Sequence, residues 1–214
     1  GDIAYITKKV RRLLDEAGLT DCKIIVSNSL DEYIIRDVIL EGACIDSFGV
    51  GERLITSKSE PVFGGVYKLV AIERDGEVIP KIKISENVAK ITNPHYKKVY
   101  RFYDKNGMAI ADQLCVYDEA LHDNEPIEIF DPEHTWKRKT LTEYTVRELL
   151  VPIFKNGECV YESPAISDIK AYCKQQIDTL WDEVKRFENP HKYYVDLSQK
   201  LWDIKNGLLS KNSK

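Results

Sequence analysis

One stretch, Lys23 to Thr56, constrains the fold more than any other, because strand, turn, helix, strand and glycine loop follow one another there without a break. Lys23 to Val26 is a short β-branched run, closed by the turn residues Ser27 and Asn28. Ser29 stands three residues before Glu32, the spacing of a capping box, in which each side chain satisfies the other's free backbone N–H. Leu30, Ile34, Val38 and Ile39 recur at helical spacing, and Gly42 sits where a left-handed cap ends a helix. Ile45 to Phe48 opens the next strand, which runs straight into Gly49-Val50-Gly51-Glu52-Arg53.

Two glycines one residue apart, just after a strand, let the backbone turn tightly and bring bare N–H groups close to a ligand. Phosphate is the usual guest of such a loop when a helix begins next. The later glycine and the ribose-binding carboxylate of a dinucleotide fingerprint are missing here. On spacing alone the loop reads as a plain βα turn. The surrounding order of helix, strand, helix and strand points instead to phosphate, because α/β barrels often build that site from the loops after their last two strands. Both readings stand at this point. On the barrel reading, Ser27-Asn28 and Gly49-Val50-Gly51 lie at the C-terminal ends of neighbouring strands.

A chain of 214 residues can bury a proper core, as one large domain or two small ones. Its net charge of -4 argues against general nucleic-acid binding, which draws its affinity from basic residues on phosphates. No apolar run approaches the roughly 18 residues of a membrane span, and no signal peptide is visible. The five cysteines (22, 44, 115, 159 and 173) are scattered and never in C-x-x-C spacing. That suits a reduced, cytoplasmic protein and speaks against a zinc site. His95, His122, His134 and His191 lie in polar or turn contexts, none with a partner at metal-ligand or relay spacing, so no metal ligand is assigned. Because the chain starts with Gly1-Asp2 rather than Met, it reads as a processed or truncated piece.

Taken in order, Ile6, Val10, Leu13, Leu14 and Ala17 form the apolar stripe of an amphipathic helix ending at Gly18. Asp2, just before it, is either the helix N-cap or a carboxylate facing the phosphate-binding end of a barrel. After Thr56 the periodicity changes. Val66 to Ile72 and Val78 to Ile84 flank Asp75-Gly76 as a hairpin, and Lys98 to Tyr103 and Met108 to Tyr117 flank Asn106-Gly107. A third hairpin, Pro152 to Tyr161, turns at Asn156-Gly157. Between them, Tyr117 to Glu143 reads as a polar connecting arm, its cluster Lys137-Arg138-Lys139 a solvated patch. Ser163 as N-cap and Pro164 at the first position open a long helix with one buried stripe, Ile166 to Phe187. It breaks at Asn189-Pro190, and Leu197, Leu201, Ile204 and Leu208 mark a second helix. Trp181, Tyr193, Tyr194 and Trp202 read as packing residues. The expected division is therefore 1–60 as βα units, 61–162 as a hairpin-rich segment with its arm, and 163–214 as helices.

Several runs carry a resemblance to a known family: Gly1 to Tyr5, Lys23 to Glu32, Ile45 to Thr56, Gly64 to Val70 and Trp181 to Tyr194. Together they look like the C-terminal half of bacterial nicotinate phosphoribosyltransferase. The resemblance implies part of an irregular type II phosphoribosyltransferase α/β barrel, its last βα units, followed by the antiparallel and helical segments. It implies an enzyme of NAD salvage that joins nicotinate to phosphoribosyl pyrophosphate, with ATP hydrolysis coupled, magnesium required and a homodimer in the full-length form. Gly49, Gly51 and the Glu52 amide would hold the 5-phosphate, with Arg53 close by. Ser27 and Asn28 fall where the family meets the phosphoribosyl group, and Asp2 belongs to the family's Asp-Ser-Gly-Asp motif as a catalytic carboxylate.

Two departures stand out: Glu52 replaces a frequent Thr, and His95 follows Pro94 where many members have Gly. The family's phosphorylated histidine and most of its nicotinate-binding groups would precede residue 1, so the 214 residues alone are expected to be inactive. Another type II phosphoribosyltransferase, for nicotinamide or quinolinate, and a non-catalytic domain are the alternatives.

Overall fold

The computed structural model describes residues 1–62 and 64–211, which divide into two compact units, 1–66 and 67–214. In the first unit, α1 (Ile3–Glu16) begins at Asp2, whose Oδ1 accepts the Tyr5 N–H at 2.7 Å, so the N-cap reading of Asp2 holds. The helix ends on Gly18 at φ 75°, where Gly18 and Leu19 donate to the Asp15 and Leu14 carbonyls. This paired closure needs a left-handed residue, which glycine supplies at no steric cost. Gly42 (φ 74°) closes α2 (Glu32–Leu40) in the same way, with Gly42 and Ala43 donating to Ile39 and Val38.

The capping box does not form. Ser29 is held at φ 48°, and the N-cap of α2 is Asp31, which accepts the Ile34 N–H at 2.9 Å. Ser29 spends its conformation on the turn after the strand, which leaves the cap to the next short acid.

Between these helices, β1 (Ile25–Ser27) and β2 (Ser47–Gly49) pair in parallel, Ser27 opposite Gly49. Asp46 ties their entries together by accepting the Ile24 N–H at 2.8 Å. Buried Thr7 joins α1 to the same edge: its hydroxyl donates to Ile3 O and accepts the Cys44 N–H. A single helical turn, α3 (Glu52–Ile55), follows the loop. Among the described residues this parallel sheet has two strands and no closed barrel is present.

The second unit is antiparallel at its centre. Hairpin β3–β4 (Ala71–Arg74, Glu77–Pro80) turns at Asp75 and Gly76, both with positive φ, as a type I′ turn demands. Strands β5 (Lys97–Tyr103) and β6 (Ala109–Val116) pair as expected, with Asp104 accepting the Asn106 and Met108 N–H groups in the turn. His95, at φ 77°, takes the conformation for which glycine is the easier residue.

Several expectations fail here. The arm from Tyr117 to Glu143 contains a two-stranded sheet, β7 (Ile127–Phe130) with β8 (Arg138–Leu141), because Ile129, Phe130 and Leu141 reach the core. Strand β9 (Thr145–Glu148) then pairs with β5, and the small hairpin β10–β11 (Phe154–Lys155, Glu158–Cys159) turns at Asn156-Gly157 as read.

The long helix is instead α4 (Ile166–Asp178), with N-cap Ala165 rather than Ser163. It stops at Thr179, whose carbonyl accepts the Ala109 N–H at 2.8 Å, so a tertiary bond ends it where periodicity would continue. Its stripe is not buried: Ile166, Ile169, Cys173 and Ile177 are exposed. Leu197, read as helical, belongs to β12 (Val195–Leu197), which pairs in parallel with β6 before α5 (Gln199–Lys211) begins.

The core holds Phe102, Ala111, Ile129, Leu141 and Tyr144 on one side and Val116, Leu197 and Leu201 on the other. Trp181 packs on Tyr193 and Tyr194, and Trp202 on Phe130, as read.

Candidate functional site

The C-terminal ends of β1 and β2 open on one cleft of about 310 Å³. It is lined by Ser27, Asn28, Ser29, Leu30, Gly49, Gly51, Glu52, Arg53 and Lys58. The parallel pairing produces this gathering, since it brings the ends of both strands to the same edge. Asn28 and Ser29 both take positive φ, folding the first loop tightly enough to face the second. A Cβ on Gly49 would meet Ser27 Cβ at 3.1 Å, whereas one on Gly51 would meet nothing within 4 Å. Gly49 therefore serves the close approach of the strands, and Gly51 leaves room in front of the loop.

Six sequence-chosen residues, Ser27, Asn28, Gly49, Gly51, Glu52 and Arg53, thus share one cleft, while Asp2 is not among its lining residues. Arg53 is engaged: its guanidinium donates to Asp31 Oδ2. The Ile34 N–H and then Arg53 hold the Asp31 carboxyl below its usual range, against the effect of desolvation. Asp31 therefore fastens the glycine loop to the start of α2.

Lys58, which sequence reasoning missed, brings a second positive charge to the cleft. Its backbone N–H donates to the Arg53 carbonyl at 3.1 Å. Against Glu52 and the Asp31–Arg53 pair, it is the group that offsets the local negative charge. Lying past the end of α3, in a run of polar residues, it carried no spacing signal.

These donors suit an anion with several oxygens: backbone N–H groups, hydroxyls, an amide and two cations. They do not suit magnesium, because Asp31 is occupied by Arg53 and Ile34, which leaves Glu52 as the carboxylate of the cleft.

A second cleft, of about 610 Å³, holds none of the sequence-chosen residues. Asp131, Glu133, Lys137, Lys139, His191, Lys192 and Asp196 are among its lining. Burial first, then the Asp131 charge, push the Asp196 carboxyl up to about 6, with Lys192 opposing. His134, for which the sequence offered no partner, has Nδ1 at 3.2 Å from Asp131 Oδ2.

Fold and site together define a mixed α/β protein whose parallel strand ends form an anion-type cleft. A family model described as the nicotinate phosphoribosyltransferase C-terminal domain matches residues 96–205. The nicotinate phosphoribosyltransferase of Bacillus subtilis is 45% identical over 206 residues, covering 96% of this chain and 42% of the relative. That of Caenorhabditis elegans is 32% identical over 223 residues, covering 100% of this chain and 39% of the relative. A crystal structure of human nicotinic acid phosphoribosyltransferase shares the fold, with a TM-score of 0.72 at 23% identity over 98% of this chain and 39% of that one. The chain belongs to the nicotinate phosphoribosyltransferase family. It spans 42% and 39% of the length of the Bacillus and nematode relatives. Among the described residues, no helix is long and apolar enough to cross a membrane.

Proposed function

We propose that this chain supplies the phosphoribosyl-binding end of a nicotinate phosphoribosyltransferase, which forms nicotinate mononucleotide and pyrophosphate from nicotinate and phosphoribosyl pyrophosphate. The observation that carries this reading is the meeting of Ser27, Asn28, Gly49, Gly51, Glu52 and Arg53 in one cleft. In this reading the Gly51 and Glu52 amides hold the 5-phosphate, Lys58 neutralises it, and Ser27 and Asn28 contact the ribose side. The Glu52 side chain turns away from the phosphate, since a carboxylate beside it repels. Departure of pyrophosphate leaves positive charge on the ribose carbon, which nearby carboxylates and oriented dipoles stabilise. Asp2 is the proposed carboxylate; its cap bond to Tyr5 engages Oδ1 only.

Coupling to ATP hydrolysis, a magnesium requirement, a homodimer and a cytoplasmic location belong to the same proposal. Magnesium, when bound, screens the pyrophosphate charge, and no residue of this cleft is assigned to hold it. The 214 residues alone are proposed to be inactive, because catalysis needs both reactants held in place and the nicotinate groups are expected elsewhere in the enzyme.

The test is an assay of the full-length enzyme with nicotinate, nicotinamide and quinolinate in turn, each with phosphoribosyl pyrophosphate, magnesium and ATP. Turnover of nicotinate is expected. Preference for either other acceptor would overturn the substrate assignment, and turnover by the 214 residues alone would overturn the inactivity.

A further inference from the structure

The cleft at the ends of β1 and β2 is assembled from two loops, and the strand ladder stops short of both. Pairing ends at Ser27 opposite Gly49, while Asn28, Ser29, Gly51, Glu52 and Arg53 line the cleft beyond it. The first loop is strained, with Asn28 at φ 107° and Ser29 at φ 48°. Such conformations cost energy in non-glycine residues and persist only where the surroundings enforce them. Two neighbours enforce them here. Leu30 is buried, 1% exposed, and Asp31 bonds in two directions. Its Oδ1 accepts the Ile34 N–H at 2.9 Å, which caps α2, and its Oδ2 accepts from Arg53 Nη1. Arg53 stands in the single turn of α3, two residues after Gly51.

We propose that Asp31 is a positioning residue for phosphoribosyl pyrophosphate, acting through Arg53. By holding the guanidinium it sets the loop after β1 and the glycine loop after β2 at one spacing, so that ribose and phosphate contacts are aligned before the ligand arrives. This inference rests on the reading of the cleft given under Proposed function. It gives Arg53 the part of a strut between the loops and leaves Lys58 as the cation that meets the phosphate.

The two carboxylate oxygens divide the work, which lets the cap and the tie be separated. An amide in place of the carboxylate keeps an oxygen for the Ile34 N–H, since Asn caps helices as well as Asp does. It gives up the charge that makes the bond to the guanidinium strong. With the Asp31 and Arg53 side chains 17% and 29% exposed, the pair is better shielded than the surface ion pairs that contribute little. Hydrogen bonds weaken steeply with misalignment, so a small shift of the glycine loop turns the Gly51 and Glu52 amides off the phosphate oxygens. Lys58 moves with them, because its N–H donates to the Arg53 carbonyl at 3.1 Å.

The test compares Asp31→Asn, Arg53→Ala and the double variant in the full-length enzyme, by calorimetry with phosphoribosyl pyrophosphate and by initial rates. Asp31→Asn should keep its melting temperature and bind phosphoribosyl pyrophosphate roughly tenfold more weakly, less than the roughly hundredfold that a 1 Å misplacement can cost. KM for phosphoribosyl pyrophosphate should rise in step, while KM for nicotinate stays unchanged. Arg53→Ala should show a similar loss, and the double variant no more than either single one, because each change removes the same tie. Additive losses would show that Asp31 does not act through Arg53 and would overturn the proposal. Unchanged or tighter binding in Asp31→Asn would overturn it too, and tightening would mean that Asp31 restrains an arginine able to bind phosphate itself. Gly51→Val is the control for the cleft. If it weakens binding and Asp31→Asn does not, the cleft reading stands and the tie falls; if neither weakens binding, both fall.

Discussion

Ser27 and Gly49 face each other across the parallel strands so closely that a Cβ on Gly49 would stand 3.1 Å from Ser27 Cβ. Two residues on, a Cβ on Gly51 would meet nothing within 4 Å. The two glycines of one short motif therefore do different work, and substitutions should separate them. Gly49→Ala should lower the melting temperature, because the strands must part by a few tenths of an ångström to admit the methyl group. Gly51→Val should leave the fold intact and place a side chain where phosphate would approach. The loss of one or two charge-assisted hydrogen bonds, about 1.5–3 kcal/mol each, predicts roughly ten- to hundredfold weaker phosphoribosyl pyrophosphate binding. Calorimetry on the full-length enzyme checks both, and unchanged affinity in Gly51→Val would remove the loop from the site.

Lys58 offers a test of charge rather than shape. With Arg53 held by Asp31, the cleft depends on Lys58 for a cation free to meet an incoming phosphate. Lys58→Ala should weaken phosphoribosyl pyrophosphate binding several-fold at low ionic strength and less at high salt, where exposed charges are screened. Lys58→Arg should restore most of the affinity. A salt-independent defect, or none, would show that the ammonium does not face the ligand.

Cys115 is fully buried, while Cys22, Cys159 and Cys173 are exposed. Burial, with the Glu119 charge adding to it, pushes the Cys115 thiol up to about 12. At pH 8 the exposed cysteines should react with a thiol reagent and Cys115 should stay silent until denaturant is added. The sign for stability follows from the raised value. The contribution is fully present below the ordinary thiol range near 9 and is lost as pH rises from there towards 12. Rapid native-state labelling of Cys115, read by mass spectrometry, would contradict its burial.

What could be read from sequence depended on how local the signal was. Gly18, Gly42, Asp75-Gly76 and Asn156-Gly157 announced their turns because positive φ is written in residue type. The glycine loop was legible from two glycines spaced one residue apart after a strand, and its neighbours Ser27 and Asn28 followed from strand order. Asp31 was missed because Ser29 offered an equally good cap, and only the turn geometry after β1 decides between them. The β7–β8 sheet was hidden because Asp131 to Lys137 carries no short hairpin turn and Arg138 to Thr140 are polar. Strand β12 is three residues long, and its pairing with β6 is a contact between distant parts of the chain.

Arg101, Asp112 and Tyr193 form a long-range tie of the second unit. Asp112 is opposite Arg101 on β6 and β5, and it accepts two guanidinium bonds at 2.7 and 2.8 Å. The Tyr193 hydroxyl donates to the same carboxylate at 2.9 Å, and the guanidinium lies 5.6 Å from the Tyr193 ring centre. The bond to Asp112 holds the Arg101 guanidinium even more firmly protonated, while burial, then Asp112, raise the Tyr193 phenol. With side chains only 19% and 11% exposed, the ion pair is largely shielded from water. Removing one partner leaves the other charge stranded, at a cost of about 3–5 kcal/mol. Asp112→Ala should therefore destabilise strongly, while Tyr193→Phe, which removes one hydrogen bond, should cost about 1 kcal/mol. Arg101→Met paired with Asp112→Leu should recover much of the loss, since an apolar pair of similar volume leaves no unpaired charge. Chemical denaturation of the full-length enzyme and these variants gives the comparison. A double variant no more stable than Asp112→Ala would mean that the ion pair fixes the β5–β6 register as well as neutralising charge.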